Sequence, residues 1–217
     1  MTFWSDVVTY GPGFMAAAWT VLWVTILTIM LSWACGLAAA LAQRSHRKTV
    51  RALAAFYIWF IRGTPALIQI FIVYFGLPQL GVRLSPFTAG VLALGVNSGA
   101  YVAEIIRSGL SAIPRGQTES SLAMGFSPAQ TMRTIILPQV FRIILPAMTN
   151  EAISILKNTS LLSTITVVEL TLYAQTLISA TFRPFDFYIA VALIYLVLTT
   201  MLTRLASWLE HRYGQLS

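Results

Sequence analysis

Arg115-Gly-Gln-Thr-Glu119-Ser-Ser-Leu-Ala-Met-Gly125-Phe-Ser-Pro-Ala-Gln130-Thr-Met-Arg-Thr-Ile135-Ile-Leu-Pro138 is the longest polar-containing interval in a chain that is otherwise apolar. Pro114 closes whatever helix precedes it. Gln117 to Met124 is long enough for about two helical turns. Gly125 suits the left-handed residue that ends such a helix. Ser127, followed by Pro128 and by Gln130 three residues after the cap, has the pattern of a capping box. Two helices therefore meet at Gly125, the first short and partly polar, the second returning into apolar sequence. Local geometry leaves two uses for such a loop: a plain connection between two spans, or a docking element.

The surrounding sequence decides the fold class. Of 217 residues, 57% are hydrophobic and only 10% charged, with mean hydropathy +0.76. That balance belongs to an integral membrane protein rather than a soluble domain. The net charge of +7 sits at the ends of apolar runs rather than in one patch, which argues for a membrane and against nucleic acid. Cys35 alone excludes an internal disulfide framework. Met1 to Phe14 has no basic start and contains Asp6, so no secretory signal is expected.

Outward from the polar interval, the apolar runs predict an all-α protein with five transmembrane helices. Residues 1–13 form a short outer segment ending in Gly11-Pro12-Gly13, and the first span covers Ala16 to Leu41. It ends in Arg44, His46, Arg47, Lys48 and Arg51, the densest basic cluster, which the positive-inside rule places in the cytoplasm with the N-terminus outside. The second span, about Ala52 to Leu77, is broken at Arg62-Gly63-Thr64-Pro65, where Thr64 is suited to cap and Pro65 to start a new helix. The third runs from Phe87 to Leu110. The fourth begins near Thr131, and residues 161–182 form its end plus an amphipathic helix at the outer face. The fifth covers Tyr188 to Trp208, with the C-terminus inside. Arg44, Arg47, Lys48, Arg51, Arg107, Arg115, Arg133, Arg142, Arg204 and Arg212 then lie at the inner side, Arg83 and Arg183 outside. Arg62 and Lys157 lie within crossings. The six tryptophans are expected as interface anchors or lipid-facing side chains.

Asn97, Tyr101, Glu104 and Ser108 recur at i, i+4, i+7 and i+11 and share one face of the third helix. A carboxylate within a span is costly unless it is paired or faces water, so Glu104 is a functional-site candidate or a structural hydrogen-bond partner. Asn150, Ser154 and Lys157 form a second stripe, with Glu151 beside it. Glu151 and Lys157 either neutralise each other or present a carboxylate and an ammonium to a zwitterion. The helix beginning at Thr64-Pro65 would add N–H groups that suit a substrate carboxylate. No residue spacing points to a metal site, and no nucleophile constellation is present.

Glu119, Gly125 six residues on, then Ile135, Leu137 and Pro138 after nine intervening residues resemble the EAA loop of ABC importer permeases, with Ser120 and Ser121 standing for the two alanines. In that family the loop forms a coupling helix, here about 115–128, that docks on a cytoplasmic ATPase. The resemblance assigns the contact to Arg115, Gly116, Glu119, Ser120, Ser121, Met124 and Gly125. Arg62-Gly63-Thr64-Pro65, Asn97 to Arg107, Thr149 to Ser160 and Thr181 to Phe185 resemble the polar amino-acid subfamily, over about residues 14–212. Asn158 departs from it, since many relatives carry Asp there. The implied fold is a single permease domain, 1–217, of the type I importer kind. The implied substrate pocket is lined by Thr64, Gln69, Asn97, Tyr101, Glu104, Glu151, Lys157 and Ser160.

The resemblance implies a multi-pass subunit of the bacterial inner membrane. Its implied partners are two ATP-binding subunits that carry ATP and Mg, a second permease (identical or a paralogue), an external binding protein and an amino-acid substrate. The chain has no G-x-x-x-x-G-K-[ST] loop and needs no cofactor of its own, so it is expected to be a transport subunit rather than an ATPase. The alternative is an ATP-independent carrier or channel in which Glu104 and Glu151 hold protons or cations.

Overall fold

The computed structural model of the chain describes residues 3–214, with side chains described over 6–212. Every regular element among them is helical: α1 Phe3–Gln43, α2 Lys48–Arg62, α3 Ala66–Phe71, α4 Pro86–Ala112, α5 Arg115–Ala123, α6 Pro128–Gln130, α7 Leu137–Asn158, α8 Leu170–Thr181 and α9 Pro184–Gly214. Three stretches, Asp6–Gln43, Pro86–Ala112 and Pro184–Arg212, are each long and apolar enough to cross a membrane. Two bent pairs qualify jointly: Lys48–Arg62 with Ala66–Leu80, bent by 110°, and Pro128–Ile165 with Leu170–Thr181, bent by 46°.

The central element is α4. Of its most apolar window 61% is buried inside the chain, against 11% for α9. Its small residues explain why. A Cβ on Gly95 would fall 2.5 Å from Leu31 Cδ2, and one on Gly99 would fall 2.7 Å from Cys35 Cβ and 2.8 Å from the Tyr57 hydroxyl. The bare backbone of α4 thus lets α1 approach closely, as helices do where no hydrophobic force drives them together in lipid. The Tyr57 hydroxyl donates to Val96 O at 2.6 Å and fixes α2 to the same helix.

α1 differs from the sequence expectation. The chain does not break at Gly11-Pro12-Gly13 but is helical from Phe3, with Pro12 inside the helix. Tertiary contacts override the local signal. Gly13 leaves room for the Tyr173 ring, which a Cβ there would penetrate. Phe14 packs edge-on against Tyr173, and Tyr10 against Phe187. Arg183 closes this end with a 2.8 Å bond to Asp6 and a 2.7 Å bond to Asp186. At 41 residues and 1.5 Å per residue the helix measures about 60 Å, roughly twice the hydrocarbon thickness.

The segment expected as an outer amphipathic helix is in part core. Leu170 and Ala174 are fully buried in the cluster that contains Phe14, Val21 and Phe187. Glu169 is 0% exposed and caps α8: its carboxylate accepts from Thr171 N and Leu172 N, each at 2.9 Å, and from the Tyr195 hydroxyl at 2.9 Å. Of the tryptophans with described side chains, Trp19, Trp23, Trp33, Trp59 and Trp208 are all exposed, as expected for lipid-facing or interface residues. The Trp4 side chain and residues 215–217 of the tail lie outside what is described.

Candidate functional site

The site is built where α2 breaks. Helix α2 ends at Arg62 because Gly63 and then Pro65 follow; Pro65 has no N–H to continue the ladder. The sequence predicted that Thr64 caps the next helix. Instead Pro65 occupies the N-cap position with no side-chain cap, and Ala66 opens α3. The Thr64 hydroxyl turns back and donates to Phe60 O at 2.9 Å. A helix end leaves carbonyls without partners, and the buried Gln69 supplies them. The two N–H groups of its Nε2 are shared among Ile61 O at 2.9 Å, Thr64 Oγ1 at 2.7 Å and Thr64 O at 3.2 Å. Gln69 Oε1 in turn accepts from Asn97 Nδ2 at 3.0 Å. Thr64, Gln69 and Asn97 thus form one chain of hydrogen bonds from the α2–α3 corner to α4. Gln69 and Asn97 are each 6% exposed, so this chain is a support and Thr64 is its open end.

One and two turns further along the same face of α4 lie Tyr101 and Glu104. Glu104 is held by Arg107, whose Nε and Nη2 each donate at 2.9 Å, and by Arg62 Nη1 at 3.2 Å. The Arg62 guanidinium lies 5.6 Å from the centroid of the Tyr101 ring, a cation–π contact that fixes it from the other side. The group carries a net single positive charge and is open: side-chain exposure is 44% for Arg62 and 53% for Arg107. Glu104 is therefore not a free anion awaiting a cation but the anchor of two guanidiniums. The i,i+3 spacing of Glu104 and Arg107 carried that signal in the sequence.

On α7, Glu151 is half-buried with its carboxyl against the Ser98 side chain of α4. Lys157 is exposed. Of the two alternatives, mutual neutralisation fails: none of the ion pairs among the described residues joins Glu151 to Lys157. Ser160 lies in the 3-10 turn Thr159–Ile165 after α7 and donates its hydroxyl to Lys157 O at 2.8 Å. Ser98, buried between α4 and α7, carried no signal in sequence, because its importance depends on which helix packs against it.

The polar interval folds as its local signals dictate. α5 covers Arg115–Ala123, and Gly125 takes φ 88°. Phe126 N donates to Ser121 O at 3.2 Å, closing the helix end. The capping box of Ser127 and Gln130 is present with both bonds. Downstream, Pro138 cannot donate to the carbonyl four residues back, and Thr131–Ile136 widens into a π-turn before α7. Arg115, Gly116, Glu119, Ser120, Met124 and Gly125 are exposed, but Ser121 is buried and its hydroxyl pairs with Thr131 Oγ1 at 2.8 Å. Ser121 thus faces inward and joins α5 to the root of α7, rather than lying on the outer surface of α5.

The sequence matches the family described as the binding-protein-dependent transport system inner membrane component over residues 32–215. It is 37% identical to the probable glutamine ABC transporter permease protein GlnM of Bacillus subtilis strain 168, covering 92% of both chains. It is also 37% identical to the glutamine transport system permease protein GlnP of Escherichia coli K12, covering 96% of both. A chain in the crystal structure of an amino acid ABC transporter with histidines superimposes with TM-score 0.91 at 40% identity, over 98% of this chain and 99% of that one. A chain of the inward-facing MetNI methionine ABC transporter, at 17% identity and TM-score 0.75, shares the fold. With an apolar all-helical chain, a short helix ending at a left-handed Gly125, and matches that span nearly its whole length, this protein belongs to the inner-membrane components of binding-protein-dependent transport systems, and it is a permease subunit of an ABC importer with the type I permease fold.

Proposed function

We propose that this permease passes a polar amino acid across the bacterial inner membrane. The observation that carries this reading is the open, charged group of Arg62, Glu104 and Arg107 beside Tyr101; Lys157 of α7 is exposed and has no ion-pair partner among the described residues. Charges within apolar helices face water or a protein partner rather than lipid. A zwitterion offers a carboxylate to the guanidiniums or the ammonium, and an ammonium to Glu151. Thr64 and Ser160 add hydroxyls, while Gln69 and Asn97 hold the corner in place. The names of the relatives, which transport glutamine or amino acids, support the substrate class.

We read each bent pair as one span, which gives five crossings with the termini on opposite sides; the distribution of Arg and Lys supports an outer N-terminus and a cytoplasmic C-terminus. A binding protein delivers substrate from outside, and a second permease covers the charged face. Two cytoplasmic ATP-binding subunits dock on the exposed side of α5, through Arg115, Gly116, Glu119, Ser120, Met124 and Gly125, and Ser121 transmits the motion to α7 through Thr131. The chain itself has no ATP-hydrolysing loop.

Uptake of labelled amino acids by membranes that contain the assembled transporter tests the site. Glu104→Gln releases both guanidiniums and Lys157→Met removes the unpaired ammonium. Each is expected to lower uptake at least about tenfold, the effect of losing a charge-assisted bond, with normal membrane insertion. Wild-type uptake by both variants removes these residues from the site.

A further inference from the structure

A pocket of about 380 Å³ opens between the ends of α1, α2 and α4 opposite the Asp6–Arg183 end. Its lining includes Gln43 and Arg44 from α1, Arg51 and Ala55 from α2, and Arg107 and Ser111 from α4. Three guanidiniums in one concavity repel one another unless an anion lies between them. Only Arg107 has a carboxylate partner among the described residues, Glu104; Arg51 reaches no more than the Ser45 carbonyl at 3.4 Å. α2 adds to the positive field, since its first turn holds no acidic residue and its N-cap, Arg47, makes no side-chain cap. A second, independent feature is Gln43 Oε1, which is buried and has no hydrogen-bond partner. A buried acceptor without a donor is costly, and native proteins rarely leave one. The pocket therefore offers fork-shaped donors for anionic oxygens and one acceptor for a hydroxyl.

We infer that this pocket binds a phosphate-bearing anion that also carries a hydroxyl, with Arg44 and Arg51 on the phosphate oxygens and Gln43 accepting from the hydroxyl. Two sources share this chemistry: the glycerol phosphate headgroup of an anionic phospholipid, and free hydrogenphosphate. Guanidiniums match phosphate oxygens in pairs, and basic pockets between spans at the cytoplasmic side suit anionic headgroups. The cytoplasmic placement rests on the orientation proposed above; the charge and the unsatisfied amide do not.

The test uses the complete transporter, purified in mild detergent and stripped of lipid. Its thermal unfolding midpoint is followed during titration with short-chain phosphatidylglycerol, short-chain phosphatidylcholine or inorganic phosphate. Saturable stabilisation by phosphatidylglycerol but not phosphate identifies a leaflet lipid, and saturation by phosphate alone identifies the soluble anion. In either case the Arg44→Gln/Arg51→Gln double variant is expected to weaken binding about tenfold or more, as loss of two charge-assisted bonds requires. Ala55→Glu, at an exposed position on the pocket wall, introduces a repelling carboxylate with the same expected result, and it carries the test should the double variant fail to assemble. The inference is overturned if neither anionic probe saturates, if phosphatidylcholine binds as well as phosphatidylglycerol, or if wild type and assembled variants bind alike.

Discussion

Gln69 holds three acceptors of the broken helix end and the Asn97 amide through one side chain. Gln69→Leu keeps the volume but strands Asn97 and the carbonyl of Ile61 in a buried place. We expect a loss of about 1–3 kcal/mol, the cost of unsatisfied buried groups, visible as a lower melting midpoint of the solubilised protein. An unchanged midpoint would mean that water replaces the amide. Glu169 is a parallel case that the sequence did not reveal. Read along the chain, it is one carboxylate at the start of an apolar run; only folding brings Tyr195 of α9 to it, 26 residues away. Tyr195→Phe removes one of its three donors and is expected to cost about 1–3 kcal/mol, measured in the same assay. Glu104, by contrast, was legible, since a carboxylate in a span is conspicuous wherever it packs.

Among the elements, α5 and its Gly125 terminus are the most sharply specified. Gly125 has positive φ, and a Cβ there would meet nothing within 4 Å. The demand is purely conformational, so side chains can be ranked by their tolerance of the left-handed region. Gly125→Asn should retain most uptake, whereas Gly125→Val should cost at least about 1–2 kcal/mol locally and uncouple uptake while the binding protein still engages. Equal uptake by both variants would show that the turn has no role in coupling. Local chemistry sufficed to locate this helix, the capping box and the break at Arg62–Pro65, because each rests on a Gly, Pro or Ser acting on its own neighbours. It did not suffice at Gly11-Pro12-Gly13, where the aromatic contacts with Tyr173 and Phe187 keep α1 helical.

At the scale of the molecule, α4 is enclosed, whereas only 11% of the most apolar window of α9 is buried, and the Arg62 and Arg107 guanidiniums of the site are exposed. The proposed assembly, in which a second permease covers the charged groups, is tested by what the chain brings with it. Pull-down of the tagged, detergent-solubilised chain from its native membrane should recover an ATP-binding subunit and either one permease species or two, as identified by mass. Recovery of the chain alone, without ATPase activity, would contradict the importer assembly. Composition and hydrophobic runs established an all-helical membrane protein, and the spacing from Glu119 to Pro138 established its family resemblance, because both depend on residue type and sequence separation alone. Which polar groups meet was decided only in three dimensions. Glu104 with Arg62, Gln69 with Asn97, Ser98 with Glu151 and Glu169 with Tyr195 each join different helices. Their meeting depends on how closely α2, α3 and α7 approach α4, and α9 the start of α8, a distance set by packing and invisible in any one helix's periodicity.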